Sequence, residues 1–407
     1  MLKNSRGLHV PEPTARPGEE VDFSRFELPP AGSVPFVASD CEPEDVRDYA
    51  FKLIRVLSDD HRAVGDWHPR LDPDRLVAGL RAMMLTRAYD NRMVRVQRQG
   101  KTSFYMKCTG EEAVAVAAAM ALQPDDMCFP TYRQQGLLVA RGWSLVDMMN
   151  QVYSNSRDRL KGRQMPVFYS SRAAGFFSIS GNLGTQYSQA VGWAMGAASD
   201  DSPNIAAAWI GEGATAEGDF HYALTFGAVY QAPVVFNIVN NQWAISSFAG
   251  IAGGERTTFA ARGLAYGIPA LRVDGNDYLA VYAATAWAAK RARAGLGPTV
   301  IEHFTYRAEG HSTSDDPTKY RPASAWPLGD PIDRLRQHLV QTGAWDDDRQ
   351  AALAKEVELV VRDAGKEAER YGTLKEGDRL SVGTMFDDVF KELPLHLLAQ
   401  RKLVAGY

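Results

Sequence analysis

Cysteine is scarce in this chain of 407 residues. Its three cysteines, Cys41, Cys108 and Cys128, form no Cys-x-x-Cys pair and show no Cys/His spacing typical of a metal site. An odd and sparse set also builds no disulfide framework. We therefore exclude a disulfide-rich secreted scaffold and expect a reducing compartment.

Long apolar runs are absent as well. None approaches the roughly 18 residues that a membrane span needs, and residues 1–22 mix basic with acidic side chains without the apolar core of a signal peptide. No charge of one sign dominates, because the net charge is -4 and basic residues are spread along the chain. We expect small-molecule or protein partners, neither nucleic acid nor membrane, and a cytoplasmic location.

The composition that remains is that of an ordinary globular protein, with 45% hydrophobic and 23% charged residues. Residues 1–45 are rich in Pro, Gly and acidic side chains, which predicts an extended arm or, alternatively, a disordered tail. We divide the chain into an N-terminal arm over 1–70, an α/β domain over 71–330 and a helical C-terminal region over 331–407. The last region is expected to pack on the domain and on partner subunits.

Short apolar runs alternate with longer helical ones from about residue 125 onward. The predicted buried strands cover 204–210, 233–239, 270–273 and 298–304, and predicted helices cover 185–199, 217–230, 257–266 and 277–294. Earlier helices are predicted from Leu76 to Val96 and over 111–122, and 330–400 is mostly charged amphipathic helix. This alternation predicts an α/β fold, a mainly parallel sheet with helices on both faces.

Polar residues follow two of these strands. Gly211-Glu212-Gly213-Ala214 comes after one strand, and Asn240-Asn241-Gln242-Trp243 comes after the next. Ligands bind beyond the carboxyl ends of parallel strands, and a helical crossover makes these loops neighbours. A carboxylate and an amide oxygen that converge there form a site suited to Mg²⁺, and the glycines let a diphosphate approach the backbone.

A dinucleotide fingerprint is the competing interpretation, because Gly211, Gly213 and Ala216 satisfy a relaxed G-x-G-x-x-G/A pattern. That motif needs an acidic residue at the end of the next strand to hold the ribose, and this chain has Asn240-Asn241 there. Glu212 would also repel a pyrophosphate unless a cation stood between them. We favour a metal and a diphosphate over a dinucleotide or a purely structural glycine turn.

The Gly-Glu-Gly run, followed after 26 residues (Ala214 to Val239) by Asn-Asn, resembles the signature of thiamine diphosphate-binding proteins. Longer runs resemble one family, the alpha subunits of the decarboxylating component of branched-chain 2-oxoacid dehydrogenase complexes. The runs are RQGKTSFYMKCTGEEA (98–113), TYRQQGLLVARG (131–142), KGRQMPVFY (161–169), SISGNLGTQYSQAVG (178–192), YGIPALRVDGND (266–277) and TYRAEGHSTSDDPTKYR (305–321). The resemblance covers about 70–400 and implies a thiamine diphosphate-binding fold. RQMP and HSTSDD favour the branched-chain branch over pyruvate dehydrogenase, the alternative.

The resemblance implies which residues hold Mg²⁺ and the cofactor. In the family the metal is bound by the acid of the glycine loop, by the second asparagine and by a backbone carbonyl two residues later. These match Glu212, Asn241 and the carbonyl of Trp243, which is a tyrosine in relatives. Gly213 and Ala214 match residues whose backbone touches the cofactor.

The resemblance also implies contacts with the diphosphate and the reacting groups. Tyr132 and Arg133 match a pair that reaches the diphosphate, since a guanidinium forks onto phosphate oxygens and a phenol adds a donor. A surface turn is the alternative for that pair. His311, in a polar loop, matches a catalytic and cofactor-contacting histidine that helps transfer to the lipoyl group, a use suited to a group titrating near neutral pH. A structural histidine is the alternative.

Ser312 matches a serine that is phosphorylated in mitochondrial relatives. A plain loop serine is the alternative.

Residues 180–186 match two further parts of the family's site. Gly181 and Leu183 match the stretch beside the aminopyrimidine ring, where the leucine wedges the cofactor into a bent shape. Relatives have Ser-Pro at positions 181 and 182. They also have a cofactor-contacting arginine at the position of Val239, and the contact made by that arginine is expected to be absent here. A monovalent-cation site, for K⁺, is implied at Ser180, Asn182, Thr185 and Gln186. A helix N-cap is the alternative for Ser180 and Thr185.

The resemblance implies half of an active site. In the family, the glutamate that activates the cofactor and a second histidine belong to a beta subunit, and no acid here matches that glutamate's motif. The expected partners are a beta subunit in an alpha2-beta2 heterotetramer, the lipoyl acyltransferase component and a branched-chain 2-oxoacid such as 2-oxoisovalerate. Gly192 and Gly196 would allow close helix packing in that assembly, or serve the internal core. A scaffold that lost its site and an enzyme that uses NAD directly are the alternatives.

Overall fold

A computed structural model describes residues 7–21, 28–322, 328–378 and 380–404. A parallel sheet of six strands, in the order β1-β7-β8-β4-β3-β2, organises the fold, and a two-stranded antiparallel pair, β5-β6, lies apart from it. The strands are β1 (Leu53–Ile54), β2 (Met127–Phe129), β3 (Ala206–Gly211), β4 (Val234–Asn240), β5 (Trp243–Ala244), β6 (Ser247–Phe248), β7 (Ala270–Asp274) and β8 (Thr299–Phe304). The predicted α/β class is confirmed.

The four predicted strands are the four central strands, β7, β8, β4 and β3, each within two residues of its predicted bounds. All seven residues of β4 are buried, which explains its almost unbroken apolar sequence. The edge strands β1 and β2 were not predicted. They are two and three residues long, too short for a period to be visible.

Helices cover both faces of the sheet. In the described part of the chain they are α1 (Pro73–Arg98), α2 (Glu112–Ala121), α3 (Gln135–Ala140), α4 (Leu145–Tyr153), α5 (Thr185–Ser199), α6 (Gly218–Val229), α7 (Tyr278–Arg293), α8 (Pro331–Gln341), α9 (Asp347–Glu369) and α10 (Leu395–Val404). Alternate residues of β3 enter different cores, with Ala207 and Trp209 in one and Ala206, Ala208 and Ile210 in the other. The sheet is thus buried on both sides.

Two predicted helical stretches differ in detail. The segment predicted over 257–266 forms a 3-10 helix, Ala260–Tyr266. In the C-terminal stretch, the described residues between α9 and α10 form no α-helix. The helical pattern is interrupted there by Pro394 and by two glycines with positive φ, Gly372 and Gly377.

The segments outside 71–330 are tied to the sheet by buried polar contacts. The carboxylate of Asp277 accepts hydrogen bonds from the backbone N–H groups of Val56 (2.7 Å) and Leu57 (2.5 Å), just after β1. Arg334 of α8 donates to Asp274 at the end of β7 (2.8 Å). The division into arm, domain and C-terminal region stays a prediction. Every described helix is too short or too polar to cross a membrane.

Candidate active site

A cavity of about 370 Å³ opens at the carboxyl edge of the sheet, where β3 and β4 end side by side. Gly211 of β3 pairs with Val239 of β4, so the two polar loops that follow are neighbours, as predicted. Most predicted site residues line this cavity: Tyr132, Arg133, Gly181, Leu183, Gln186, Glu212, Gly213, Ala214, Asn241, Trp243 and His311. Ser180, Asn182 and Thr185 are adjacent in sequence but do not line it.

The buried carboxylate of Glu212 has an oxygen without a hydrogen-bond partner in the described structure. Its side chain is 1% exposed, and its Oε1 has no hydrogen-bond partner among the described residues. Burial, with a smaller contribution from the nearby Glu111, raises the pKa of Glu212 to about 7. A buried carboxylate oxygen without a partner is costly, and a cation at this point would offset the cost. The site therefore fits a metal ion.

The other predicted metal ligands supply neutral oxygens. The amide Oδ1 of Asn241 accepts a hydrogen bond from the backbone N–H of Trp243 (3.1 Å). The carbonyl of Trp243 accepts one from Arg307 Nη1 (3.1 Å), and a carbonyl oxygen keeps a second lone pair. No cluster of three His, Cys, Asp or Glu side chains exists in the described ranges. One carboxylate with amide and carbonyl oxygens suits Mg²⁺, which takes few protein ligands.

Asn240 points away from the cavity. Its Nδ2 donates to Glu302 Oε1 at 2.8 Å, inside the sheet. Only the second asparagine of the pair is thus available to a ligand. Gly213 lies directly under Ala244, because a Cβ added to Gly213 would lie 2.5 Å from the Ala244 side chain. A glycine is required there by this close approach.

Arg133 lies at the centre of the polar end of the cavity. Its side chain is 4% exposed, and its guanidinium donates to the carbonyls of Lys107 and His311, the latter at 2.9 Å. The ring of Tyr132 lies edge-on to the His311 imidazole, with ring centroids 5.6 Å apart. Tyr132 also stacks on Phe168, with centroids 6.3 Å apart. The predicted Tyr-Arg pair is therefore part of the cavity wall and not a surface turn.

His311 is held between two arginines. Its Nδ1 lies 3.3 Å from Arg133 Nη2 and 3.3 Å from Arg307 Nη1. Burial and these two positive charges lower its pKa to about 3, while Asp315, which accepts from the His311 backbone N–H (2.6 Å), opposes the shift. This lowered pKa differs from the expected titration near neutral pH, because burial and the two guanidinium groups disfavour the imidazolium. Because guanidinium groups only donate, Nδ1 is the acceptor and the proton of the neutral ring is on Nε2.

The loop before α5 contains the predicted aminopyrimidine and cation residues. Leu183 is 46% exposed at the cavity mouth. The backbone N–H of Asn182 donates to Ser180 Oγ (3.1 Å), and Thr185 Oγ1 donates to the Asn182 carbonyl (2.9 Å). Buried Gln186 donates to the Trp209 carbonyl (2.8 Å), but its Oε1 has no partner within the described ranges.

Two buried charged residues of the cavity wall were not predicted. Glu111, 2% exposed, accepts a hydrogen bond from Asn241 Nδ2 at 2.8 Å. Arg307, 1% exposed, donates to the carbonyls of Trp243 and Ile245. Both lie in the sequence runs that carry the family resemblance, which is the signal that could have identified them.

Comparisons with known proteins identify the family of the chain. The sequence profile of the family described as "Dehydrogenase E1 component" matches residues 80–376, and that of "2-oxoisovalerate dehydrogenase E1 alpha subunit N terminal" matches residues 6–44. The chain is 58% identical over 398 residues to the 2-oxoisovalerate dehydrogenase subunit alpha of Pseudomonas aeruginosa, covering 97% of each chain. It is 40% identical over 343 residues to the mitochondrial subunit alpha of Mus musculus, covering 83% of this chain and 76% of the relative. It is 36% identical over 388 residues to the mitochondrial subunit alpha 1 of Arabidopsis thaliana, covering 94% and 80%.

Proposed function

The chain belongs to the dehydrogenase E1 component family, and we propose from this premise that it catalyses the oxidative decarboxylation of branched-chain 2-oxoacids such as 2-oxoisovalerate. It is the alpha subunit of a branched-chain 2-oxoacid dehydrogenase, an enzyme that depends on thiamine diphosphate and works with a beta subunit. The pyruvate alternative is excluded by the match to 2-oxoisovalerate dehydrogenase over 97% of both chains.

The observation that carries the proposal is an oxygen of Glu212 that lies beside Asn241 and has no partner among the described residues. We infer that Glu212, Asn241 and the Trp243 carbonyl would hold Mg²⁺, and that Gly213 and Ala214 would meet the diphosphate through their backbone. When bound, thiamine diphosphate supplies the nucleophile and the electron sink for decarboxylation. The chain's part is to position the diphosphate end and to exclude water from it.

Arg133, Tyr132 and His311 would act on the anionic groups. Arg133 is buried with its guanidinium at the cavity wall, where it can bind phosphate oxygens. His311 keeps a proton at Nε2, because both neighbours of its Nδ1 are arginine donors. An Nε2–H donor stabilises negative charge that develops on the substrate oxygen or on the incoming lipoyl group.

A monovalent cation, K⁺ in this proposal, would bind beside the same loop. Support comes from Gln186, whose buried Oε1 lacks a partner in the described structure, and from the hydroxyl groups of Ser180 and Thr185. With Asn182 these residues form an all-oxygen donor set. The N-cap residue of α5 is Gly184, and no described side chain makes a capping hydrogen bond there, so the N-cap alternative for Ser180 and Thr185 is wrong. K⁺ dependence of thermal stability tests the cation site.

We propose an alpha2-beta2 heterotetramer that serves a lipoyl acyltransferase component. The exposed surface of α5 and α6 supports close contact with another subunit. Around a Cβ added to Gly192 or Gly196 there is no described atom within 4 Å, and the large exposed side chains of this surface are Tyr222, Phe226, Val229 and Tyr230. Large apolar side chains exposed together along one helix are typical of an interface. The scarce cysteines support a cytoplasmic location.

The test is reconstitution with the beta subunit. We expect 2-oxoisovalerate to be decarboxylated only by the assembled enzyme. It should be preferred over pyruvate in kcat/KM by about tenfold or more, since its branched methyl groups would fill an apolar acyl pocket of the assembled site. A matched sample of the alpha chain alone, with cofactor and Mg²⁺, serves as the control. Robust decarboxylation by that sample would contradict the shared active site, and a preference for pyruvate would contradict the substrate.

A further inference from the structure

We propose that Glu111 is a positioning residue for the metal ligand Asn241, because its carboxylate holds the Asn241 amide with Oδ1 turned towards the metal. Glu111 is 130 residues away in sequence, and its Oε1 accepts from Asn241 Nδ2 at 2.8 Å. The inference rests on the proposed function, since the orientation of this amide matters only if a cation binds there.

The Asn241 amide is held at both ends. On one side its Nδ2 donates to Glu111, and on the other its Oδ1 accepts the Trp243 backbone N–H at 3.1 Å. A rotation of the amide by half a turn would place its oxygen against the carboxylate and its NH₂ against an N–H donor. Both new contacts are repulsive. The two partners therefore select the same orientation, the one that presents oxygen and not nitrogen to a metal.

Glu111 has no helix-capping role in the described structure. It precedes α2 at the N-cap position, but its side chain makes no capping hydrogen bond within the described part of the chain. The next residue, Glu112, takes the structural role instead. Glu112 accepts from the Gly110 N–H (2.8 Å) and pairs with Arg87 (2.6 Å). Of two adjacent buried glutamates, one supports the fold and the other faces the metal loop.

The same carboxylate also faces the diphosphate side of the cavity. Glu111 Oε1 lies 3.9 Å from Arg133 Nε, so one buried group contacts both the metal loop and the arginine proposed to bind phosphate. Glu212 lines the same cavity as Glu111, so both buried carboxyl groups face one site.

The experiment measures metal affinity and not activity. Mn²⁺, which takes the octahedral oxygen ligands of Mg²⁺, is titrated into the reconstituted enzyme at saturating thiamine diphosphate, and free Mn²⁺ is followed by electron paramagnetic resonance. Glu111→Ala should weaken Mn²⁺ binding about 10- to 100-fold, the usual effect of losing a partner that orients a ligand. Glu111→Gln should stay within about threefold of wild type, because its amide oxygen still accepts from Asn241. Glu217→Ala is the matched control, since Glu217 lines the same cavity but is exposed, and should change binding less than about twofold.

Exchanging the donor and the acceptor between positions 111 and 241 separates a positioning role of Glu111 from a merely structural one. Asn241→Asp alone removes the N–H donor that Glu111 holds, so the ligand at position 241 loses its fixed orientation and should bind Mn²⁺ poorly. The double variant Glu111→Gln with Asn241→Asp restores the hydrogen bond with opposite polarity, and should recover at least about tenfold of that loss. This variant and Glu111→Gln carry the test if Glu111→Ala does not fold.

Three results would overturn the inference while leaving the proposed function intact: Mn²⁺ binding by Glu111→Ala within about twofold of wild type, Glu111→Gln as weak as Glu111→Ala, or no recovery in the double variant. Absence of Mn²⁺ binding by the wild-type enzyme would instead overturn the proposed function, and this inference with it.

Discussion

Asn240 and Asn241 are neighbours in the sequence, and each donates its side-chain amide to a buried glutamate at 2.8 Å. They nevertheless belong to two different regions. The pair Asn240–Glu302 lies inside the sheet, and the pair Asn241–Glu111 lies in the cavity at its edge.

The two regions differ in what their polar atoms contact. Inside the sheet, Glu302 Oε1 accepts from Asn240 and lies 3.4 Å from Arg272, and Oε2 accepts the Ala260 N–H at 2.8 Å. At the edge, Glu212 has an oxygen without a partner in the described structure. Of these two buried carboxylates, the one inside the sheet has partners for both oxygens, and the one at the edge leaves an oxygen for a ligand. The atoms of the sheet that lack partners in the described structure are neutral, among them Trp209 Nε1 and His303 Nδ1.

The largest effect is expected inside the sheet. Glu302→Leu removes the acceptor of three donors at a fully buried position, so we expect a loss of about 3–5 kcal/mol in the free energy of unfolding. Urea unfolding of the reconstituted enzyme measures it. Mn²⁺ affinity of the folded fraction should change less than about twofold. A stable variant with tenfold weaker metal binding would show that Glu302 belongs to the site after all.

The opposite result is expected at the edge. Glu212→Gln should weaken thiamine diphosphate binding in the presence of Mg²⁺ by at least about 100-fold, because the only carboxylate of the proposed metal set is lost. The metal-free variant should be more stable than the metal-free wild type by about 1–3 kcal/mol, because a buried charge is removed. Isothermal titration and thermal unfolding measure the two effects. Glu217→Gln, at the exposed rim, is the control and should change neither. Undiminished cofactor binding would refute the metal assignment.

Two histidines extend the comparison to pH. Burial alone lowers the pKa of His303, inside the sheet, to about 3, and its Nε2 is 2.8 Å from Asn237 Oδ1. In the unfolded chain the imidazole of His303 binds a proton near pH 6.5. Its contribution to the free energy of unfolding is therefore fully present above that pH and is lost as the pH falls towards 3. The neutral His303 should therefore lower the free energy of unfolding by about 1.4 kcal/mol for each pH unit below 6.5.

Unfolding of wild type and His303→Gln at pH 7 and pH 5 tests this. The wild type should lose about 2 kcal/mol more than the variant between these values. His311→Gln should remove less of the pH dependence, because His311 is half-buried at the cavity and Asp315 favours its protonated form. Equal slopes for wild type and His303→Gln would contradict a neutral buried His303.

The sequence predicted the centre of the fold better than its margins. Strands β3, β4, β7 and β8 are buried on both faces and show as apolar runs, and the convergence of Glu212 and Asn241 follows from the adjacency of β3 and β4. Glu111 could not be found in this way. Its contact with Asn241 joins segments that are distant in sequence, and at its own position the pattern indicates only the start of a helix. Local periodicity carries no information about which side chain a helix start will meet.

The smallest effect is expected for Trp243→Tyr. Trp243 is proposed to offer only its backbone carbonyl to the metal, and its ring packs on Tyr320 and Phe248, with centroids 5.3 Å and 5.8 Å away. A tyrosine keeps an aromatic ring at this position and leaves the carbonyl unchanged, so Mn²⁺ affinity should change less than about threefold. Asn241→Ala, two residues earlier, removes a side-chain ligand and should weaken binding more than tenfold in the same titration, as an order of magnitude. Comparable losses in the two variants would mean that the indole, and not the carbonyl, shapes the metal site.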